Sequence, residues 1–147
     1  MGDPDTKSRI AGTLAQPLLA RLATASPDNL QPHVVPVWFY WDGDSLWISA
    51  FSSTRKLKEL QRNPRCAVVI DGGGPPEEDS TAWGVLMEGE ARLVTQPRDF
   101  VAEMSYRIYS RYMGEEGVQA PEPQSWMHDP ENTLIQLTPQ LLRSWGI

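Results

Sequence analysis

The chain has 147 residues, 40% of them hydrophobic, and a formal net charge of -6. That predicts one domain, 1–147, with a real core, and no apolar run approaches the roughly 18 residues of a membrane span. An acidic balance argues against nucleic acid or an anionic membrane as a partner, since either would call for basic charge spread along a face.

The amino terminus, Met1-Gly2-Asp3-Pro4-Asp5, lacks the charged-then-apolar order of a signal peptide, so a cytoplasmic protein is expected. Thr6 to Leu14 reads as a helix, with Ile10 and Leu14 on one face and Pro17 closing it. Leu18 to Ala25 reads as a strand, and Ser26-Pro27-Asp28-Asn29 as a turn. A long apolar run, Leu30 to Trp41, then turns at Asp42-Gly43-Asp44 into Ser45 to Phe51, which makes an antiparallel meander. A helix from Thr54 to Arg62 is stopped by Pro64, and Arg65 to Ile70 is the next strand. Gly72 to Asp79 reads as a loop of low order.

Trp83 to Val94 is a long strand interrupted by Gly89, which suggests a bulge or sharp bend where a curved sheet turns a corner. Thr95 is placed to cap a third helix in which Phe100, Met104 and Ile108 form a core stripe ending at Gly114. Glu115 to Glu131 reads as a polar, proline-bearing surface excursion, and Thr133 to Thr138 as the last strand. Six strands with long connections and few helices predict a mainly β protein, a small antiparallel barrel.

Ser52-Ser53-Thr54-Arg55-Lys56 is the most unusual segment. It sets hydroxyls and two cations at a helix start whose unpaired N–H groups already carry partial positive charge, an arrangement that favours a bound anion. From Arg55 to Arg65 five cations face Glu59 alone, inside an acidic chain. A solvated cationic helix face is the competing reading. Pro36 removes a ladder donor from its strand, so that strand must be an edge, be bulged, or face something other than a neighbouring strand. Six tryptophans exceed what a core of this size needs; indoles stack on planar ligands and also fill barrels and dimer interfaces. The single cysteine, Cys66, belongs to an apolar run and reads as core, and His33 and His128 lack any metal-ligand pattern, so no metal is expected.

Pro32-His33-Val34-Val35-Pro36-Val37-Trp38-Phe39, then Trp41-Asp42-Gly43-Asp44-Ser45-Leu46-Trp47, then Thr54-Arg55-Lys56 through Asn63-Pro64-Arg65, resembles the flavin-binding split β-barrel family related to pyridoxamine 5'-phosphate oxidase. The resemblance spans about Leu18 to Trp145 and implies a six-stranded antiparallel split barrel of Greek-key type, forming a homodimer with two flavin sites at its interface. It implies that Arg55 and Lys56 bind the cofactor phosphate beside the Thr54 hydroxyl. It further implies that Val34, Pro36, Val37 and Trp38 lie along the flavin ring, that Ser49 and Ala50 meet the ribityl chain or ring edge, and that Gly84 lies at a ring contact. The tail Arg143-Ser144-Trp145 would approach the flavin or the partner subunit.

An Arg-x-Trp ending in place of an Arg-x-His pair counts against the vitamin B6 reaction itself. What remains implied is an FMN-binding oxidoreductase moving a hydride to or from a small conjugated substrate, with no catalytic side chain assigned. The alternatives are a deazaflavin-dependent reductase of the same fold, or a non-enzymatic dimeric flavin- or heme-binding protein, for which His33 and His128 are the available axial ligands.

Overall fold

The computed structural model describes residues 3–72 and 82–147. Helix α1, Pro4–Leu14, starts two residues before the expected Thr6, because Asp3 is its N-cap, accepting from the Thr6 amide at 2.9 Å, and Pro4 sits where a missing N–H costs nothing. Ile10 and Leu14 are buried, as their spacing requires. Strands β1 (Ala20–Ala25), β2 (Pro32–Val37), β3 (Tyr40–Trp41) and β4 (Leu46–Phe51) follow, then α2 (Arg55–Arg62), β5 (Arg65–Gly72), β6 (Trp83–Val94), α3 (Arg98–Gly117), α4 (Pro121–Met127), β7 (Asn132–Leu137) and β8 (Leu141–Trp145). All strand pairs are antiparallel, in the order β2-β1-β5-β6-β7-β4-β3, with β8 also on β6.

The sheet has eight strands where six were expected, for two reasons. The run Leu30 to Trp41 is divided: β2 lies at one edge of the sheet and β3 at the other, so Trp38-Phe39 carries the chain directly across the opening and curls the sheet on itself. Pro36 therefore belongs to an edge strand, where its missing donor is harmless. The tail segment Arg143-Ser144-Trp145 is also a strand, paired to β6 with Gly84 opposite Trp145. The strand expected at Leu18 begins at Ala20.

Two cores result. Inside the curl, Leu22, Phe39, Ile48, Val68, Met87 and Ile135 pack with Leu57 and Leu60 of α2. Outside it, Val101, Met104 and Ile108 of α3 pack on Trp47, Val94 and Leu134, so the expected α3 stripe is core. Strand β4 is apolar nearly throughout because it is covered on both faces, by the barrel interior and by α3.

Two further expectations are corrected. The segment Glu115 to Glu131 is not an irregular excursion: α3 runs on to Gly117 through a kink at Gly114, α4 follows, and Val118, Pro123 and Met127 are buried. Thr95 does not cap α3, which starts at Arg98 after Pro97. The loop expected at Gly72 to Asp79 lies outside the described residues from residue 73 onward, and Gly72 itself ends β5.

Of the bulge or bend expected at Gly89, the bulge is absent: the β5–β6 register runs unbroken through this residue, with Cys66 opposite. Gly89 sits instead where the other neighbour of β6 changes from β8 to β7, and a Cβ there would lie 3.1 Å from Leu137 Cδ1 and 3.3 Å from both the Gln140 N and Thr138 O atoms. Two of those three atoms are backbone and cannot rotate away. Gly89→Val is thus expected to cost about 1–3 kcal/mol through overpacking; chemical denaturation reads it, and an unchanged midpoint would remove the steric account.

Candidate active site

Helix α2 begins where the sequence places its cations. Thr54 is its N-cap, yet the Thr54 hydroxyl donates backwards to the Phe51 carbonyl at 2.7 Å, so no side chain caps the first turn. Just upstream, Glu131 accepts from the Ser53 amide at 3.1 Å and the Ser52 hydroxyl at 3.2 Å. Lys56 is half-buried, and burial pulls its ammonium below the ordinary lysine value. No carboxylate among the described residues makes an ion pair with it. A desolvated ammonium beside uncapped helix N–H groups is stabilised by an incoming anion, so these residues fit a cofactor phosphate.

Lys56 opens onto a cleft of about 260 Å³ that also gathers Trp38, Ser49, Ala50 and Thr54, bringing together five of the twelve expected site residues. Phe51, Tyr109 and Trp126 complete its lining. Trp38 stacks on Tyr112 at 4.7 Å and 4° and meets Tyr109 edge-on at 6.3 Å, and Tyr109 meets Trp126 edge-on at 5.9 Å. The cleft thus has a cationic mouth and aromatic walls, the complement of a planar ring with an anionic tail.

Tyr109 and Trp126 were not anticipated from sequence. A signal existed for the first: Ser105, Tyr109 and Tyr112 recur at i, i+4 and i+7 on α3, a second stripe beside the apolar one. Trp126 was hidden by the misreading of its segment as irregular.

Arg55 departs from Lys56. It lies in a separate groove with Ser26, Ser53, Lys58 and Arg62, and its Nε donates to Glu59 Oε2 at 3.4 Å. Glu59 is only 8% exposed and also accepts from the Thr24 hydroxyl at 2.8 Å, with His33 Nδ1 at 3.5 Å. Burial raises the Glu59 carboxyl, but the bonds from Thr24 and Arg55 and the nearby positive charge outweigh it, leaving the pKa below the ordinary glutamate value. Because the folded value is depressed, the stability Glu59 contributes is present above the ordinary glutamate range and is lost as pH falls through its lower folded value. Glu59→Gln should therefore flatten the acid limb of a stability–pH curve, read by thermal melts; an unaltered limb would deny Glu59 that role.

The remaining expected residues take other positions. Val37 points into the barrel core. Residues directly opposite one another across a sheet share a face, so Pro36, Arg21, Val69, Leu86 and Arg143 form one row on the outer face. Val34, 63% exposed, and Trp145, 44% exposed, belong to that face too, where Arg21 pairs with Asp71. Gly84 is buried under the Trp145 indole, which occupies the space a Cβ would need. Its lack of a side chain is explained within the protomer by that close approach.

Among the described residues no group of three or more His, Cys, Asp or Glu is placed to hold a metal ion, and no helix is long and apolar enough to cross a membrane. Cys66 is buried in apolar surroundings, which push its thiol up to about 11 and leave it unreactive.

The profile of the pyridoxamine 5'-phosphate oxidase family matches residues 6–146. The chain belongs to that family. Solved structures with the same fold include a conserved hypothetical protein of Mycobacterium tuberculosis, with TM-score 0.79 and 24% identity over 99% of this chain and 84% of that one. An F420 reductase aligns with TM-score 0.68 and 23% identity over 90% of this chain and 94% of that one. A heme storage protein of Vibrio cholerae aligns with TM-score 0.71 and 15% identity over 92% of each chain. No curated protein matches in sequence. Members of the pyridoxamine 5'-phosphate oxidase fold therefore carry names that point to different ligands, and this chain's own cleft must discriminate among them.

Proposed function

We propose that this chain is an FMN-binding oxidoreductase that transfers a hydride to or from a small conjugated substrate. The observation that carries the reading is the cleft in which Lys56, half-buried and without a carboxylate partner among the described residues, adjoins an uncapped helix start and the aromatic walls of Trp38, Tyr109 and Trp126. Lys56 and the uncapped amides at the start of α2 would hold the phosphate, with Thr54 beside them but its hydroxyl proton committed to the Phe51 carbonyl. Trp38, Ser49 and Ala50 would border the ring and ribityl chain. When bound, the flavin supplies the hydride chemistry, and the protein's task is to fix the ring and exclude water.

The division of the expected residues between two surfaces supports a homodimeric site. Five line the cleft, while Val34, Pro36, Arg143 and Trp145 lie on the outer sheet face with Gly84 beneath the last of them. That outer face presents exposed apolar groups, which in a two-fold dimer would bring the row of one protomer to the cleft of the other.

The deazaflavin alternative draws support from the similarity to an F420 reductase and from the groove beyond the helix start. In that groove, however, Arg62 is held by Asp28 through two bonds of 2.6 and 2.7 Å, and Arg55 is held by Glu59. With two of its cations already neutralised, a short phosphate is favoured over a long polyanionic tail. For heme, neither histidine lines the cleft: His33 lies beside Glu59, and His128 borders a separate cavity with Thr95 and Arg98.

Native mass spectrometry of the protein purified from its own host, followed by FMN titration of the ligand-free form, tests this reading. A dimer mass carrying two FMN is the expected result; a porphyrin mass, or failure to bind FMN, would overturn it.

A further inference from the structure

The wall of the cleft contains a closed set of hydrogen bonds whose directions can be assigned one after another. Asn132, fully buried, donates from Nδ2 to the Met127 carbonyl at 3.2 Å and to Ser105 Oγ at 2.9 Å. A carbonyl only accepts, so the amide orientation is fixed and Asn132 Oδ1 is an acceptor. Ser49 Oγ therefore spends its one proton on Asn132 Oδ1, at 2.6 Å. The Tyr109 hydroxyl, 2.7 Å from the same Ser49 oxygen, must then be the donor of that pair. Ser105 donates to Ser49 as well, at 3.3 Å, which fills both Ser49 lone pairs.

Ser49 thus has no proton and no lone pair left for a ligand, although it lines the cleft. Tyr109 lines the same cleft and has given away its proton; with the Ser105 hydroxyl also within hydrogen-bond reach of its oxygen, one lone pair is left for a ligand. Its burial also pushes the phenol above the ordinary tyrosine value, so it stays neutral.

We infer that Tyr109 is a specificity-determining residue that accepts a hydrogen bond from the ligand, so the cleft selects a planar ring carrying an imide N–H donor. Ser49 and Asn132 are positioning residues that hold the Tyr109 proton away from the ligand. The inference rests on the flavin reading and narrows it: the pyrimidinedione edge of a flavin or deazaflavin offers such an N–H, whereas a metalloporphyrin spends its nitrogens on the iron and offers none. It also separates the two polar ends of the cleft, a cation at Lys56 and an acceptor at Tyr109.

The test is a binding titration of the full chain with FMN and with its N3-methyl analogue, in wild type, Tyr109→Phe and Ser49→Ala. Wild type is expected to bind FMN about fivefold more tightly than the methylated ring, the size of one neutral hydrogen bond. In Tyr109→Phe the FMN affinity should fall to that of the analogue. In Ser49→Ala, where the tyrosine proton is released, the preference should shrink; the midpoint falls as well, because Asn132 Oδ1 loses its donor, so the ratio of the two affinities is the deciding readout. A merely structural role for Ser49 would move the midpoint and leave the ratio of the two affinities unaltered.

Equal binding of both rings by wild type, or a preference that survives in Tyr109→Phe, would overturn the inference. So would an unchanged FMN affinity in Tyr109→Phe with a gain for the methylated ring, which reports relief of a steric clash. Failure of wild type to bind either ring would bring down the flavin reading itself, and this inference with it.

Discussion

Lys56→Ala is expected to lower FMN affinity about 10- to 100-fold, because hydrogen bonds to a charged group contribute roughly 1.5–3 kcal/mol. The thermal midpoint should barely move, since Lys56 has no carboxylate partner among the described residues whose charge would be stranded. Arg55→Ala should behave in the opposite way. Arg55 is the guanidinium that faces the buried Glu59, and removing it leaves that carboxylate with Thr24 and His33 alone. Because Arg55 is itself 55% exposed, water takes over part of its role, and the destabilisation should be modest. Two neighbouring cations that look equivalent in the sequence are thus expected to separate into a ligand-binding residue and a folding residue. A fluorescence titration and a melt on each single variant read the difference; a Lys56→Ala protein that titrates like wild type would remove the phosphate assignment.

Phe39→Ala is expected to destabilise the protein by about 3–5 kcal/mol, the usual range for emptying an aromatic site in a core. Phe39 is fully buried at the point where the chain crosses from one sheet edge to the other. Its amide donates to the Tyr112 hydroxyl at 3.1 Å, and Tyr112 donates in turn to the Leu18 carbonyl at 2.6 Å. The Arg111 guanidinium lies 4.9 Å from its ring and donates to the Leu14 and Gln16 carbonyls at 3.0 and 2.7 Å. Truncating the ring therefore opens a void at the one covalent link between the sheet edges and loosens the tie to α1. For a chain of this length the loss corresponds to a fall in midpoint of roughly 10–15 °C. A fall of only a degree or two would show that the crossing does not depend on this side chain.

Much of the architecture was legible because it is written in local chemistry. Ile10 and Leu14 announce one helix and Phe100, Met104 and Ile108 another, by spacing alone. Pro36 narrows its strand to an edge, a bulge or a ligand-facing position by the donor it lacks, and the structure makes it an edge; the cations after Thr54 mark a helix start that reads as an anion site or as a solvated face. Reading stopped where local signals were ambiguous. Pro121 and Pro123 look like loop residues, yet the first lies at the start of α4 and the second is buried within it. Gly89 reads as a bulge or a bend; the bulge is absent, and the space the glycine leaves is filled by the β7–β8 connection, a neighbour that no pattern around residue 89 reveals.

What the amino-acid order determined by itself was most of the elements, the cluster of cations at the start of α2 and the family. Only the tertiary structure decided which side chains share the cleft. Ser49 and Asn132 belong to β4 and β7, Tyr109 to a helix laid across them, and their common hydrogen-bond set exists only because those strands pair in one register. The same holds for Pro36 and Arg143, joined in one row through three intervening strands. A period in the sequence fixes which face of its own element a residue occupies; which faces then meet is set by long-range pairing, whose energy is spread over many contacts and carries no local signature.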